Sequence, residues 1–88
     1  MNESEIRSIV INVIKHIAPD TEPESLQPDE NIRTKLEIDS FDALQIVVSL
    51  DEKFGIEIPE ADYGKIQTLK NITAYLLEKL SPAAQFKY

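Results

Sequence analysis

The sequence predicts an all-α fold in which three longer helices, one short third helix and a long first loop form a four-helix bundle. Apolar residues recur at helical spacing in three separate segments, and stripes of this kind can enclose one core. The 88-residue chain has only two glycines and many Ile, Leu, Glu and Lys residues, a composition that favours helices over a sandwich or barrel. We expect a single domain over 1–88, with its core over about 3–80 and a flexible tail over 81–88.

The first helix is expected over residues 2–17. Asn2 and Glu5 have the spacing of a capping box, although Ser4 could cap the helix instead. Pro19 then stops the helix. The apolar stripe comprises Ile6, Ile9, Val10, Val13, Ile14 and Ile17.

A long connection follows over residues 18–39 and carries three prolines. A loop of this length in a small domain is unusual unless it is tied down or functional. The sequence is compatible with a short helical turn around Pro28–Thr34. The residues available to pin the loop to the core are Leu26, Ile32, Leu36 and Ile38.

The next helix is expected to begin near Asp39 or Ser40. Asp39 is a good N-cap, and Asp42 places negative charge in the first turn. Gly55 is a natural C-terminal stop. The predicted apolar stripe is Phe41, Leu44, Val47, Val48 and Phe54, widened by Ile46 and Leu50.

Residues 56–59 alternate like a short strand, but their brevity and Pro59 favour an extended loop with its two isoleucines turned inward. The short third helix is expected over 60–65. Thr68 should cap the last helix, roughly Leu69–Leu80. The apolar stripe of that helix is Leu69, Ile72, Leu76 and Leu80, with Tyr75 and Leu77 beside it.

The net charge of −7 disfavours nucleic acids and anionic membranes as partners, because both need basic patches. The charge is uneven: residues 37–62 hold eight acids and one base, whereas residues 63–88 hold one acid and four bases. An acidic middle segment suggests a docking face for a basic partner. Taken alone, a solvated surface that keeps the protein soluble is the more common explanation.

Several functions are excluded or disfavoured by residue type. The chain has no cysteine, which excludes disulfides and thiol catalysis by its own residues. Its one histidine, His16, sits in the last turn of the first helix, where positive charge suits the helix dipole, and we prefer that role to a catalytic or ligand role. Neither a signal peptide nor a run long enough to span a bilayer is visible, so we expect a cytoplasmic protein without membrane insertion. The absence of cysteine also excludes Cys-based zinc sites, and we expect no metal.

The Asp39-Ser40 pair at the head of the second helix is the most informative feature. Helix capping alone would explain such a pair. However, a serine at a helix start is exposed, and its backbone surroundings attract phosphate. Only carboxylates are near Ser40 in sequence, so a self-contained serine hydrolase is implausible, whereas a serine that another enzyme modifies fits the pattern.

In these residues the chain resembles the acyl carrier protein family. The resemblance rests on Ile38-Asp39-Ser40-Phe41-Asp42 and continues through residues 45–59, where Phe54-Gly55-Ile56-Glu57-Ile58-Pro59 begins fourteen residues after Ser40. It extends to Thr68-Leu69 and Ile72, so that roughly residues 3–80 are covered.

The resemblance implies a non-enzymatic bundle of the acyl-carrier type. The sequence gives no sign of oligomerisation, so we expect a monomer. The resemblance also implies that Ser40, flanked by Asp39, receives 4′-phosphopantetheine from coenzyme A through a phosphopantetheinyl transferase. The thiol of this covalent arm would carry acyl groups as thioesters for fatty acid, lipid or polyketide biosynthesis, and the acyl chain would fold back between the helices. Enzymes that load, condense or transfer acyl groups would dock by placing their basic patches against acids of this chain, namely Asp39, Asp42, Asp51, Glu52 and Glu57.

Three positions depart from the usual family pattern. Glu37 stands where the family usually has glycine, Phe41 where leucine or methionine is common, and Gln45 where an acid is common. These changes favour a specialised carrier. A peptidyl or aminoacyl carrier of a non-ribosomal pathway and an unmodified acidic helical adaptor remain as alternatives; a calcium-binding protein is disfavoured because no EF-hand loop is present.

Overall fold

The helices occupy the segments that the sequence pattern indicated, with two differences in the connections. A computed structural model describes residues 1–80, and the expected tail at 81–88 lies outside the described residues. The all-α prediction is confirmed. The α-helices are α1 (Glu3–Ile17), α2 (Ile32–Leu36), α3 (Ser40–Phe54) and α4 (Leu69–Lys79), and two 3₁₀ segments lie at Pro23–Ser25 and Glu60–Lys65.

Helix α1 begins with the predicted capping box. The Glu5 amide donates to the Asn2 side chain at 2.9 Å, and the Asn2 amide donates to the Glu5 carboxylate at 3.0 Å. Asn2 rather than Ser4 is therefore the N-cap. The helix ends at Ile17, two residues before Pro19, because a residue that precedes proline is disfavoured in the α region.

The long connection is tied to the start of α4. The Ile32 amide donates to the Gln67 carbonyl and the Lys70 amide donates to the Pro28 carbonyl, both at 2.9 Å. The short helix α2 forms at 32–36, slightly later than the turn expected at 28–34. Leu26, Ile32 and Ile38 are buried and Leu36 is partly buried, so the loop is pinned to the core as predicted.

The core lies where α1 packs against α3 and α4. From α3 it takes Ile46, Val47 and Leu50, with Ala43 and Phe54 packed against them. The predicted α3 stripe was therefore wrong in part, because Phe41, Leu44 and Val48 are exposed. The other buried apolar residues are Ile6, Val10, Val13, Ile14, Leu26, Ile32, Ile38, Ile58, Ile66, Leu69, Ile72 and Leu76.

The segment after α3 returns to the bundle as an extended loop and a short helical segment. Gly55 takes the left-handed conformation (φ 64°) that ends α3. The Ile58 amide then donates to the Asp51 carboxylate at 3.0 Å, and the Ile58 side chain is buried, as expected. The third helix forms at the predicted place, Glu60–Lys65, but it is a 3₁₀ helix, whose i→i+3 bonds suit a short connector.

Candidate functional site

Ser40 is the first residue of α3 and is exposed. The residue before it, Asp39, is the N-cap, and its carboxylate accepts a hydrogen bond of 2.8 Å from the Asp42 amide. The Asp39 side chain is thus occupied in capping, as the sequence predicted. The Ser40 hydroxyl lies at the positive end of a 15-residue helix and is open to solvent.

A sharp reversal before α3 brings Ser40 to the surface. Glu37 caps α2 in the left-handed conformation, with φ 54° and ψ 45°. The next residue, Ile38, turns inward and is buried, and its amide donates to the Arg33 carbonyl at 2.9 Å. Because Ile38 anchors the backbone, the two residues that follow it are presented outward.

Arg33 contacts Ser40 directly, a contact that sequence reasoning missed. Its Nη2 donates to Ser40 Oγ at 3.0 Å, and its Nε donates to the Ile38 carbonyl at 3.3 Å. The two residues are seven apart in sequence, but the chain leaves the helical conformation between α2 and α3, so helical periodicity does not relate them. The one indication in the sequence was that Arg33, a basic residue of α2, lies a few positions before the acidic start of α3.

A partly open cleft of about 670 Å³ includes Ser40 in its lining. Arg33 and Ser40 form polar parts of its lining, and Tyr63 and Gly64 of the 3₁₀ segment form part of one wall. The rest of the lining is largely apolar and includes Ile14, Ile38, Leu44, Val47, Ile66 and Ile72. The volume lies within the range of about 300–1,000 Å³ typical of small-molecule sites.

The exposed surface of α3 next to Ser40 carries an apolar row, Phe41, Leu44 and Val48, of which each is about half or more exposed. Of the predicted docking acids, Asp39, Glu52 and Glu57 are exposed, whereas Asp42 and Asp51 are partly buried. The Asp51 carboxylate also holds the loop after α3 by accepting from the Ile58 amide, a structural role that the sequence did not indicate.

The wall of the cleft formed by the 3₁₀ segment is fastened to α4. The Tyr75 hydroxyl donates to the Asp62 carboxylate at 2.6 Å, and Lys65 lies 3.3 Å from the same carboxylate. Burial, and then the bond to Asp62, raise the pKa of Tyr75 to about 12. The bond from Tyr75 lowers the pKa of Asp62. The neutral phenol and the charged carboxylate are therefore the stable pair at neutral pH.

The side chains around Ser40 are suited to holding an anion rather than to catalysis. Within residues 1–80 the side chain that hydrogen-bonds to Ser40 is Arg33, and a guanidinium cannot accept a proton. The same residues contain no group of three or more His, Asp or Glu that could hold a metal ion. They also contain no helix that is both long and apolar enough to cross a membrane.

Comparisons with known proteins agree on one family. A family model described as a phosphopantetheine attachment site matches residues 4–76. An acyl carrier protein of Thermosynechococcus vestitus is 30% identical over 84 residues, which cover 92% of this chain and 99% of that protein. An acyl carrier protein of Campylobacter hominis is 35% identical over 72 residues, covering 82% and 85%. The solved structure of acyl carrier protein from Enterococcus faecalis gives a TM-score of 0.67 at 29% identity and covers 89% of this chain and 98% of that one.

Proposed function

The chain belongs to the phosphopantetheine-bearing acyl carrier proteins, and on that premise we propose that Ser40 is the residue that bears the 4′-phosphopantetheine arm. Members of this family are carriers of acyl groups for fatty acid and lipid biosynthesis, not catalysts. The observation that carries the proposal is the placement of one exposed hydroxyl at the head of α3, beside a cation and at the edge of an apolar cleft.

The attachment reaction needs an outside enzyme. The Ser40 oxygen attacks the phosphorus of coenzyme A that bears the pantetheine group, and adenosine 3′,5′-bisphosphate leaves as the phosphorus–oxygen bond to it breaks. The hydroxyl proton passes to a base of the phosphopantetheinyl transferase, since Arg33 cannot accept it. When bound, the arm supplies a thiol that carries an acyl group as a thioester, a function for which this cysteine-free chain has no group of its own.

The cleft beside Ser40 would receive the apolar part of the cargo. Its lining is mostly aliphatic, and each methylene that leaves water there contributes about 0.8 kcal/mol before any cost of opening the core. Aliphatic acyl groups suit this lining better than charged aminoacyl groups, because a buried charge needs a partner. We therefore favour acyl over aminoacyl cargo.

Partner enzymes would dock on the exposed surface of α3. The family interacts with modifying transferases and with enzymes that handle acyl groups. We propose that the apolar row of Phe41, Leu44 and Val48 provides the contact area and that the acids Asp39, Asp42, Asp51, Glu52 and Glu57 attract basic patches. A single domain, a monomeric state and a cytoplasmic location remain predictions from the sequence.

Mass spectrometry of the intact protein tests the proposal. After incubation with coenzyme A, magnesium and a phosphopantetheinyl transferase of broad specificity, we expect a mass gain of one phosphopantetheine group. Ser40→Ala should gain nothing, whereas Ser8→Ala, a matched control that removes another exposed hydroxyl from α1, should gain the full group. A wild-type protein that stays at its original mass would favour the unmodified adaptor.

A further inference from the structure

Two hydrogen bonds of its guanidinium place Arg33 beside the Ser40 oxygen. Its Nη2 lies 3.0 Å from Ser40 Oγ, and its Nε lies 3.3 Å from the Ile38 carbonyl. Two contacts on different atoms fix both the position and the plane of the guanidinium. The second contact goes to the backbone at the buried anchor residue Ile38, so it does not depend on the state of Ser40.

The charge of Arg33 is not neutralised by a neighbouring acid. In the part of the chain that the structure describes, the ion pairs within 4.0 Å are Arg7–Glu3, Lys35–Glu30 and Lys65–Asp62, and none includes Arg33. This is notable because Asp39 is close in sequence, but its carboxylate caps α3 instead. Arg33 therefore offers a free positive charge and unused N–H donors in the lining of the cleft.

We infer that Arg33 is a positioning residue that holds the phosphodiester of the arm once Ser40 carries it. The inference rests on the proposed function of Ser40. Esterification replaces the neutral hydroxyl with a phosphodiester whose non-bridging oxygens bear a negative charge and lie two bonds beyond Oγ. Hydrogen bonds from a guanidinium to such oxygens are shorter and about twice as strong as neutral ones. The planar fork of arginine also matches phosphate geometry better than a lysine ammonium does.

Two consequences follow for the loaded protein. The pair offsets the repulsion between the new negative charge and the acids Asp39 and Asp42 at the head of α3. It also restrains the first bonds of the arm on the side of the cleft, because Arg33 and Ser40 line the same cleft. The guanidinium thus biases the arm toward the cleft rather than toward free solvent.

A comparison of unloaded and loaded protein tests this inference in wild type, Arg33→Gln and Arg33→Lys. Lys35→Gln is the matched control, because it removes the same charge from the same helix at a residue that pairs with Glu30 instead. Loading is first verified by mass. The measurements are the ³¹P chemical shift of the phosphodiester, relative to the denatured loaded protein, and the change in melting temperature that loading causes.

We expect the ³¹P signal of wild type and Lys35→Gln to be displaced from its denatured position, and this displacement to be largely lost in Arg33→Gln and partly restored in Arg33→Lys. The change in melting temperature on loading should be about 2–4 °C less favourable in Arg33→Gln than in wild type, as one exposed ion pair predicts. For each variant, subtracting the melting temperature of the unloaded protein removes the effect of the lost hydrogen bond to the Ile38 carbonyl.

Equal ³¹P displacements and equal loading effects in wild type and Arg33→Gln would overturn the role of Arg33 while leaving Ser40 as the attachment residue. A wild-type protein that gains no mass would overturn both. If Arg33→Gln resists loading, wild type supplies the test, because the Nη2–H signal of Arg33, the group that faces Ser40, must move when the phosphodiester forms. An unmoved signal in verified loaded protein would also overturn the inference.

Discussion

Glu37 occupies a backbone conformation that is energetically unfavourable for residues other than glycine. Its φ of 54° lies in the left-handed region, where a side chain adds roughly 1–2 kcal/mol. The family resemblance implies glycine at this place, and the geometry gives the reason: α2 must end here and reverse so that Ile38 turns inward and Ser40 outward.

Replacing Glu37 with glycine is therefore expected to stabilise the protein. Glycine relieves the strain but loses about 0.5–1 kcal/mol of backbone entropy on folding, so the free energy of unfolding should rise by roughly 0.5–1 kcal/mol. Urea denaturation measures this change. The control is Gly55→Ala at the other left-handed position (φ 64°), which should destabilise by about 1 kcal/mol because the added Cβ meets open space and only the conformation opposes it. A loss of stability in Glu37→Gly would contradict the assigned strain.

Helix α3 has two apolar faces, and spacing alone could not tell which one is buried. Apolar residues occupy seven of its positions between 41 and 50, so both possible stripes have helical periodicity. Only the packing of α1 and α4 decides that Leu50 points inward, with no exposed surface, while Leu44 remains 52% exposed.

The assignment of the faces predicts very different costs for two chemically identical substitutions. Leu50→Ala should lower the free energy of unfolding by about 2–5 kcal/mol, because it opens a cavity in the core. Leu44→Ala should change it by no more than about 0.5 kcal/mol. Thermal or urea unfolding of both variants provides the measurement, and comparable losses would mean that the apolar row is not a free surface.

The bond between Tyr75 and Asp62 joins the 3₁₀ wall of the cleft to α4, and it predicts a specific pH dependence. The pKa of Tyr75 is about 12 in the folded protein, against its usual 10. The protonated phenol thus contributes stability fully below pH 10, and this contribution is lost as the pH rises from 10 to 12. Over that range the free energy of unfolding of wild type should fall more steeply than that of Tyr75→Phe. Parallel curves would show that Tyr75 titrates normally.

The net negative charge of the molecule is concentrated in one region. Residues 37–62 carry a balance of −7, the same as the net charge of the chain, and include α3 with the loop after it. An extended field of this kind accelerates the approach of a basic partner and is screened by salt.

Reversing one charge of this region should slow association with the transferase. Glu52→Lys is expected to lower the association rate several-fold at low salt, and the difference should shrink as salt is added. Glu24→Lys makes the same change of net charge in the long connection and should have a smaller effect. Stopped-flow measurements would contradict the docking surface if the two variants behaved alike.

At the scale of the molecule, features set by local residues were predictable and those set by packing were not. The caps Asn2, Asp39 and Thr68 and the stop at Gly55 act within a few residues. Asp39, Thr68 and Gly55 were predicted correctly, and Asn2 was predicted with Ser4 as its alternative. The contact of Arg33 with Ser40 and the role of Asp51 depend on how distant segments meet. The sequence pattern does not encode such meetings directly.

The central claim is that the Ser40 oxygen forms the bond to the arm. Fragment sequencing by tandem mass spectrometry, applied to the proteolysed wild-type protein after loading, tests it most directly because it locates the modified residue. The account predicts that the added phosphopantetheine is found on Ser40 and on no other residue. Finding it on another serine or threonine, with Ser40 unmodified, would contradict the account.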